Sequence, residues 1–245
     1  MPFPPDHQHP TPPPIPTLSP AISTAHNLLP AQTTHRIAIL QHSGITNGNN
    51  LLEIGCGQGD CTTVLALLYP NSHIDAIDPG ALDYGAPETL GQAHKRIKSY
   101  DFGNRVSFHQ ATPVQFLQGG DSDGKKEKGT DVEKREYAYD IAILCHCLWY
   151  FPSKDDVLAT FKAARRSAKH LFIAEWGLRS NTPQGQTHVL AALARAACES
   201  RIPHSTENIR LPLAPATIKE LAGKAGWTLE EEAWIVPGEE LEDAR

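Results

Sequence analysis

The chain has 245 residues, with 22 Lys or Arg and 28 Asp or Glu, so its formal net charge is −6. This length predicts one hydrophobic core, and the acidic balance argues against a nucleic-acid binder, which needs a concentrated basic face. No apolar run approaches the roughly 18 to 20 residues of a membrane span, and the first residues do not resemble a secretory signal. We therefore expect a cytoplasmic protein without nucleic-acid or membrane partners, whose five cysteines are reduced thiols.

Proline dominates the beginning of the chain. Nine of the 20 prolines lie in residues 1–20, a composition that favours polyproline II or disorder over a packed element. We interpret 1–20 as a disordered tail and 21–245 as one domain. Apolar residues recur among polar ones over 21–46 in a pattern that predicts helices broken near Pro30. These helices are expected to act as a lid.

Strand and helix patterns alternate from residue 51 onward. The predicted strands cover 51–54, 73–78, 105–110, 139–145, 170–175 and 227–236, and the predicted helices cover 61–69, 88–100, 114–117, 154–169, 186–200 and 215–225. Charged residues without apolar partners predict a solvated loop over 119–136. The alternation indicates an α/β fold, a Rossmann-like, doubly wound, mostly parallel sheet of six to seven strands with helices on both faces.

A glycine-rich turn follows the first predicted strand and is the most informative segment. Gly55, Gly57 and Gly59 stand at alternate positions before a predicted helix. Glycine permits positive φ and close approach of a ligand to the backbone, and a helix N-terminus offers free N–H groups. Asp78 ends the second strand, where its carboxylate can accept hydrogen bonds from a ribose diol. The turn and the acid together predict a nucleoside-containing ligand.

The spacing differs from that of a dinucleotide site. Such a site usually has G-x-G-x-x-G, whereas here the third glycine comes one residue early and Asp60 follows it. A pyrophosphate would be repelled by that carboxylate, and a cationic ligand suits Glu53, Asp60 and Asp78 better. An NAD(P)-dependent oxidoreductase remains an alternative, and so does an ordinary tight turn without a ligand.

The segment Leu-Leu-Glu-Ile-Gly-Cys-Gly-Gln-Gly at 51–59 closely resembles motif I of the class I S-adenosylmethionine-dependent methyltransferases. Asp78 matches the ribose-binding acid of that family, and 77–85 with 146–151 resemble a fungal-type branch acting on small molecules. The resemblance implies S-adenosylmethionine as donor, S-adenosylhomocysteine as product, and methyl transfer to an oxygen or nitrogen of a small organic acceptor, a secondary metabolite. The cofactor contacts that it implies are Glu53, Gly55, Cys56, Gly57, Gly59, Asp78, Pro79, Gln110, Ala111, Thr112 and Cys145.

Two features depart from the family pattern. An acid that contacts adenine often follows the third strand, whereas residues 110–113 here are Gln-Ala-Thr-Pro. The family sheet normally ends in an antiparallel hairpin of strands six and seven, and the residues after Gly238 predict a short or absent strand seven. An absent strand would leave a sheet edge open for pairing with another chain. The sequence leaves the oligomeric state open, with a homodimer as one option.

The reaction is expected at the carboxyl ends of the strands, where doubly wound sheets bind their ligands. His146 follows the fourth strand and is the candidate general base, since an imidazole titrates near neutrality. His35 and His42 would share one face of a continuous helix, and the inserted helix 186–200 would help to form the acceptor pocket. The candidate acceptor contacts are His35, His42, Tyr84, Trp149, Tyr150, Glu175 and Trp176.

The histidines and cysteines do not have the spacing of metal ligands, so no metal site is predicted. Cys145, His146 and Cys147 are adjacent at a strand end, where alternation points the cysteines away from the histidine. A cofactor-binding protein without transfer activity is the remaining alternative to an enzyme.

Overall fold

The computed structural model describes residues 30–119, 137–205, 207–238 and 241. The predicted tail at 1–20, the first part of the predicted lid and nearly all of the predicted loop at 119–136 lie outside the described residues. Within them the strands are β1 (Asn50–Ile54), β2 (His73–Asp78), β3 (Val106–Gln110), β4 (Tyr139–Cys145) and β5 (Ala168–Ala174).

Helices separate and flank these strands. In chain order they are α1 (Pro30–Leu40), α2 (Asp60–Leu68), α3 (Leu90–Lys98), α4 (Pro113–Gly119), α5 (Lys154–Ser167), α6 (Pro183–Glu199) and α7 (Pro215–Lys224), with short 3-10 turns at Asp101–Arg105 and Leu148–Tyr150. Side chains fix several starts: Ser153 accepts the Asp156 N–H at the start of α5, and Thr182 caps α6 ahead of Pro183. No helix in the described residues has the length and apolar character needed to cross a bilayer.

The five strands form one parallel sheet in the order β3-β2-β1-β4-β5. In its register Ile54 lies opposite Ile77, Asp78 opposite Gln110 and Cys145 opposite Ala174. The carboxyl ends of all five strands therefore meet at one edge of the sheet. From β1 the strand order proceeds outward to β3 on one side and, starting with β4, to β5 on the other. The topological switch point between β1 and β4 lies at the same edge.

The core lies on both faces of the sheet because successive strand residues point to opposite sides. Leu51 and Ile143 face one side, where they join α1 and α2 residues in a first cluster. Leu52 and Leu144 face the other side, where Phe161 of α5 is fully buried in a second cluster with α7 residues. Both faces are covered, as the continuously apolar β4 run requires.

The predicted sixth strand is wrong, and within the described residues the sheet has five strands instead of the expected six to seven. Residues 228–238 have no regular structure, and no backbone hydrogen bond joins them to β5 within the part of the chain described. The contact given between them is by side chains: His170 Nδ1 lies 3.7 Å from Glu230 Oε2. Trp234 packs its ring on Gly177, with the Arg179 guanidinium 3.7 Å from the ring centre. The alternating apolar pattern of 227–236 therefore does not lead to strand pairing.

Candidate active site

The glycine turn after β1 combines a tight backbone with open space. Gly55, Gly57 and Gly59 all have positive φ, at 76°, 52° and 85°. A Cβ on Gly55 would lie 2.6 Å from Cys147 Cβ, so close packing excludes a side chain there. A Cβ on Gly57 would meet no atom within 4 Å. The space beside Gly57 is therefore available to a ligand that approaches the backbone, which is what a cofactor at this turn needs.

Asp78 is tied to this turn by its side chain. Its Oδ2 accepts the Gly57 N–H at 2.9 Å, and its Oδ1 accepts the Gly80 N–H at 2.8 Å. A carboxylate has further acceptor capacity after two such bonds. Asp78 is half-buried, so the fixed carboxylate can still accept from a ribose diol. Pro79 follows it directly at the carboxyl end of β2.

The predicted adenine contacts lie next to this carboxylate. Gln110 is paired with Asp78 in the sheet register, and the Ala111 N–H donates to the Asp78 backbone oxygen at 3.1 Å. The Thr112 hydroxyl donates to Gln115 Oε1 at 2.8 Å. The turn, Asp78 and the residues after β3 thus form one continuous rim, and these residues fit a nucleoside without requiring a phosphate.

Sequence reasoning missed His94, which supports the rim from α3. Its Nε2 lies 2.7 Å from the Gly57 carbonyl oxygen, and its ring stacks on Phe108 with 3.9 Å between centres. Burial lowers the pKa of His94 despite its contact with Gly57. A neutral ring that donates from Nε2 is consistent with this contact. A lone histidine on an amphipathic helix gives no sequence signal for such a role.

Glu53 lies beneath the turn and is 2% exposed. The Thr62 hydroxyl donates to Glu53 Oε2 at 2.6 Å. Burial raises the pKa of Glu53 from 4.5 to about 8, with the Thr62 hydrogen bond opposing the shift in part. The carboxyl is therefore largely protonated at neutral pH, and the expected negative charge at this position is reduced in the ligand-free protein.

Two cysteines predicted to contact the cofactor are enclosed by the same turn. Burial raises the pKa of Cys56 well above its ordinary value, so its thiol stays protonated and unreactive. A hydrogen bond with Cys61 lowers the pKa of Cys145 below its ordinary value against the opposing effect of burial. Cys145 packs beside the first core cluster. Both residues contribute small volume beneath the turn.

His146, Glu175 and Trp176 meet where β4 and β5 end. His146 Nδ1 lies 3.6 Å from Glu175 Oε1, and the ring centres of His146 and Trp176 are 4.5 Å apart. Glu175 is fixed by backbone N–H groups, since Oε2 accepts from Leu148 at 2.9 Å and Oε1 from Trp176 at 3.0 Å. The predicted sequence positions therefore form one physical cluster.

The electrostatics of His146 follow from this cluster. Burial by itself lowers the pKa of His146, but the Glu175 carboxylate and the neighbouring Cys145 outweigh burial and raise the pKa above its ordinary value. Neither ring nitrogen makes a hydrogen bond within the described residues. His146 thus has two buried ring nitrogens without a hydrogen-bond partner beside a fixed carboxylate.

Of the two histidines predicted to share a helix face, only His35 reaches this cluster. Its ring centre lies 5.6 Å from that of Trp176 and 5.9 Å from that of His146. The helix α1 ends at Leu40, so the continuous helix on which the two histidines would share a face stops short of His42. His42 Nδ1 lies 3.8 Å from Glu231 Oε1 instead. Both His35 and His42 line the cavity that extends from this cluster.

The aromatic residues after β4 are held by a loop that sequence reasoning missed. The Trp149 carbonyl oxygen accepts the N–H groups of Arg210 and Leu211 at 2.9 and 3.1 Å, and the Arg210 guanidinium donates to the Tyr150 carbonyl oxygen. The Tyr84 hydroxyl donates to Asn208 Oδ1 at 2.8 Å. The partners in these contacts are separated by 60 to 124 positions in the sequence. No local sequence pattern reveals contacts over such distances.

A half-open cavity of about 1400 Å³ extends from this cluster along β5. His146, Glu175 and Trp176 line one end, and residues from β5, α6 and the segment after α7 line the rest. Small-molecule sites usually measure roughly 300 to 1,000 Å³, so this cavity is large. Within the described ranges, no group of three or more His, Cys, Asp or Glu has a metal-binding arrangement.

Comparisons with known proteins agree with this geometry. Residues 26–232 match the family model described as a methyltransferase domain. The curated relatives methyltransferase phomM and methyltransferase phomM' of Diaporthe leptostromiformis are each 28% identical over 221 residues, covering 78% of this chain and 56% of each relative. The chain thus spans about half the length of the curated relatives it matches.

Solved structures share the fold. A cyclopropane-fatty-acyl-phospholipid synthase-like protein from Lactobacillus casei is 29% identical with a TM-score of 0.72, covering 86% of this chain and 76% of that one. A structure described as a putative O-methyltransferase from Nostoc punctiforme is 13% identical with a TM-score of 0.54, covering 86% and 54%, and shows likeness of fold alone. The prediction from motif I is confirmed: the chain belongs to the methyltransferase-domain family, among the class I S-adenosylmethionine-dependent methyltransferases.

Proposed function

We propose that this chain transfers a methyl group from S-adenosylmethionine to an oxygen or nitrogen of a small organic acceptor, a secondary metabolite, with His146 as the general base. One observation carries the proposal: the glycine turn with Asp78 and the His146–Glu175–Trp176 cluster lie at the same edge of the sheet, after neighbouring strands. This arrangement supports a nucleoside site and a proton acceptor on one side of the molecule.

The residues present fit the cofactor. The backbone at Gly55 to Gly59 would hold its amino-acid part, the Asp78 carboxylate its ribose hydroxyls, and residues 110–112 its adenine. The open space at Gly57 is the feature that a side chain would fill. When bound, the cofactor supplies an electrophilic methyl carbon attached to a sulfonium sulfur. The acceptor lone pair would form the new bond to this carbon, and the electron pair of the broken carbon–sulfur bond would remain on sulfur.

His146 is the proton acceptor in this scheme. Its free ring nitrogen takes the proton that the acceptor oxygen or nitrogen gives up, and Glu175 stabilises the imidazolium that results. Trp176 and His35 stack beside the ring and restrict water there. Holding acceptor and donor in line contributes much of the rate, since effective molarities reach about 10⁵ M or more in well-oriented systems.

Calorimetric titration tests the cofactor assignment. The purified protein is titrated with S-adenosylmethionine, S-adenosylhomocysteine and NAD, and binding of the first two without NAD is expected. Asp78→Ala should weaken both affinities by about ten-fold or more, because charge-assisted hydrogen bonds to the ribose are lost. Asp101→Ala, on an exposed turn away from the rim, is the matched control. Binding of NAD alone would refute the proposal.

Turnover tests the role of His146. Formation of S-adenosylhomocysteine is measured against a panel of phenols, alcohols and amines. The rate should rise with pH through the pKa of His146, which lies above its ordinary 6.5. Glu175→Gln removes the charge that raises this pKa, so the acid limb of the pH–rate profile should move to lower pH. His146→Ala should lower the rate by a factor of about 10² or more. Binding without transfer to any acceptor would support the non-catalytic alternative.

A further inference from the structure

Buried polar atoms without a partner are concentrated at one place in the fold. In the part of the chain that the structure describes, five buried side-chain nitrogen or oxygen atoms have no hydrogen-bond partner. Four of the five are nitrogens of His146, Trp149 and Arg210, and the fifth is Thr63 Oγ1. Buried polar groups in native proteins are nearly always paired, and each exception needs an explanation. This concentration indicates that a polar group of a ligand completes the site.

The backbone that carries these side chains is fixed. The Trp149 carbonyl oxygen accepts the backbone N–H of Arg210 at 2.9 Å, and the Arg210 guanidinium donates to the Tyr150 carbonyl oxygen. His146 and Trp149 are three residues apart in the sequence, so their Cα atoms are separated by at most about 11 Å. Both residues line the large cavity. One small ligand can therefore contact both side chains.

A second tryptophan of the same cavity shows an indole N–H in a structural role. Trp227 Nε1 donates to the Phe161 carbonyl oxygen at 3.1 Å, and the Trp227 side chain packs against the second cluster. Trp149 Nε1 has no such partner among the described residues, although an indole N–H usually finds one when it is buried. An indole nitrogen can only donate. The group that completes the Trp149 site is therefore a hydrogen-bond acceptor.

The nitrogen of His146 that serves the acceptor is Nε2, because Nδ1 lies 3.6 Å from Glu175 Oε1. Both ring nitrogens are buried, so an acceptor must displace the side chains over them. The ring centres of His35 and Trp176 lie 5.9 and 4.5 Å from that of His146. His35 belongs to α1, in the segment predicted to act as a lid. Movement of α1 would open His146 to the acceptor.

We propose that the acceptor carries a carbonyl oxygen close to the hydroxyl that is methylated, and that Trp149 Nε1 donates to this oxygen while His146 Nε2 takes the hydroxyl proton. This inference deepens the proposed function and rests on it. The O–H bond breaks as its proton passes to Nε2, the oxygen lone pair bonds to the methyl carbon, and sulfur keeps the electron pair of the carbon–sulfur bond. A carbonyl oxygen accepts without bringing a further hydrogen that would itself need a partner in a buried site. Trp149 is thus a specificity-determining residue.

A matched pair of phenols tests the carbonyl site. Meta-hydroxyacetophenone and meta-ethylphenol have nearly the same shape, and the first alone has a carbonyl oxygen. Each is titrated into the full chain with S-adenosylhomocysteine present. The ketone should bind about three-fold to ten-fold more tightly, because one hydrogen bond is gained. Equal affinities would overturn the inference, as would the absence of ketone binding.

Trp149→Phe keeps an aromatic ring and removes the N–H. The ratio of the two affinities should fall to about one, since both phenols lose the same packing and the ketone alone loses a hydrogen bond. Trp227→Phe is the matched control and should leave the ratio unchanged, because the Trp227 N–H is already bonded to Phe161. This control should also lower the urea midpoint of unfolding more than Trp149→Phe does. A preserved ratio in Trp149→Phe, or an equal loss in both variants, would contradict the assigned role.

The indole resonances measure the contact directly in the wild-type protein. The chain has four tryptophans, and the indole N–H signal that Trp149→Phe lacks belongs to Trp149. Meta-hydroxyacetophenone should shift this signal downfield and slow its exchange with solvent, whereas meta-ethylphenol should not. A partner water molecule in place of the ketone would give the same signal with both phenols. That result, or a response at another indole instead, would overturn the inference.

Two outcomes separate this inference from the proposed function. If S-adenosylhomocysteine binds and methyl transfer depends on His146 while the two phenols bind equally, the carbonyl site alone fails. If the ketone is preferred through Trp149 while no phenol, alcohol or amine is methylated, the carbonyl site is supported and the proposed methyl transfer fails.

Discussion

The buried carboxyl of Glu53 should make the stability of the ligand-free protein fall as pH rises. Its pKa is raised from 4.5 to about 8. The folded state therefore favours the protonated form, so the stabilisation is complete below pH 4.5 and is lost as pH rises through about 8. A pKa raised from 4.5 to about 8 corresponds to about 5 kcal/mol as an upper bound.

Glu53→Gln isolates this contribution, since the amide keeps the shape and can still accept the Thr62 hydroxyl. Wild type and variant should have similar free energies of unfolding near pH 5, and the variant should be more stable by several kcal/mol near pH 8. Cys145 and Asp60, which face the carboxyl, both raise its pKa further. Urea denaturation followed by tryptophan fluorescence across this pH range measures the difference.

Glu230→Gln is the matched control, because its side chain is 75% exposed. It should leave the pH dependence of unfolding unchanged. Parallel stability curves for wild type and Glu53→Gln between pH 5 and 8 would refute the reasoning. Such a result would mean that Glu53 ionises in the folded protein as easily as in the unfolded chain.

Three further substitutions test local parts of the fold. Phe161→Ala should reduce the free energy of unfolding by about 3 to 5 kcal/mol in urea denaturation, because its side chain is fully buried in the second cluster. Ser153→Ala should cost about 1 kcal/mol by the same assay through loss of the α5 cap, and an unchanged midpoint would contradict that role. Gly57→Ala should weaken S-adenosylhomocysteine binding in calorimetry more than it lowers stability, since its Cβ enters open space at a φ of 52°.

The glycine turn and its acid could be predicted because their geometry is local. A strand, three glycines and a helix are contiguous between 50 and 68, and the parallel arrangement brings Asp78 back to the same edge. His146, Glu175 and Trp176 were predicted for a similar reason, since each follows a strand that the hydrophobic pattern identifies. Parallel strands end at one edge, so positions after them converge without further information.

The contacts that support the site could not be predicted in this way. Arg210 and Asn208 reach Tyr150 and Tyr84 from a loop without periodicity. The sequence does not distinguish His94 from the other polar residues on α3, and only the structure shows its contact with Gly57. Each of these contacts depends on how distant segments pack. The contact of His35 with Trp176 likewise depends on where α1 ends and how it packs, which the sequence pattern did not locate.

The sequence by itself determined the order of elements, the glycine turn and the strand ends that carry the candidate chemistry, because these depend on spacing along the chain. The tertiary structure decided that 227–236 stays apart from β5, since strand formation requires a partner as well as an alternating pattern. It also decided the protonation of Glu53, because a pKa responds to burial and neighbouring groups that sequence spacing does not specify. Long-range packing thus produced the electrostatics beneath the turn.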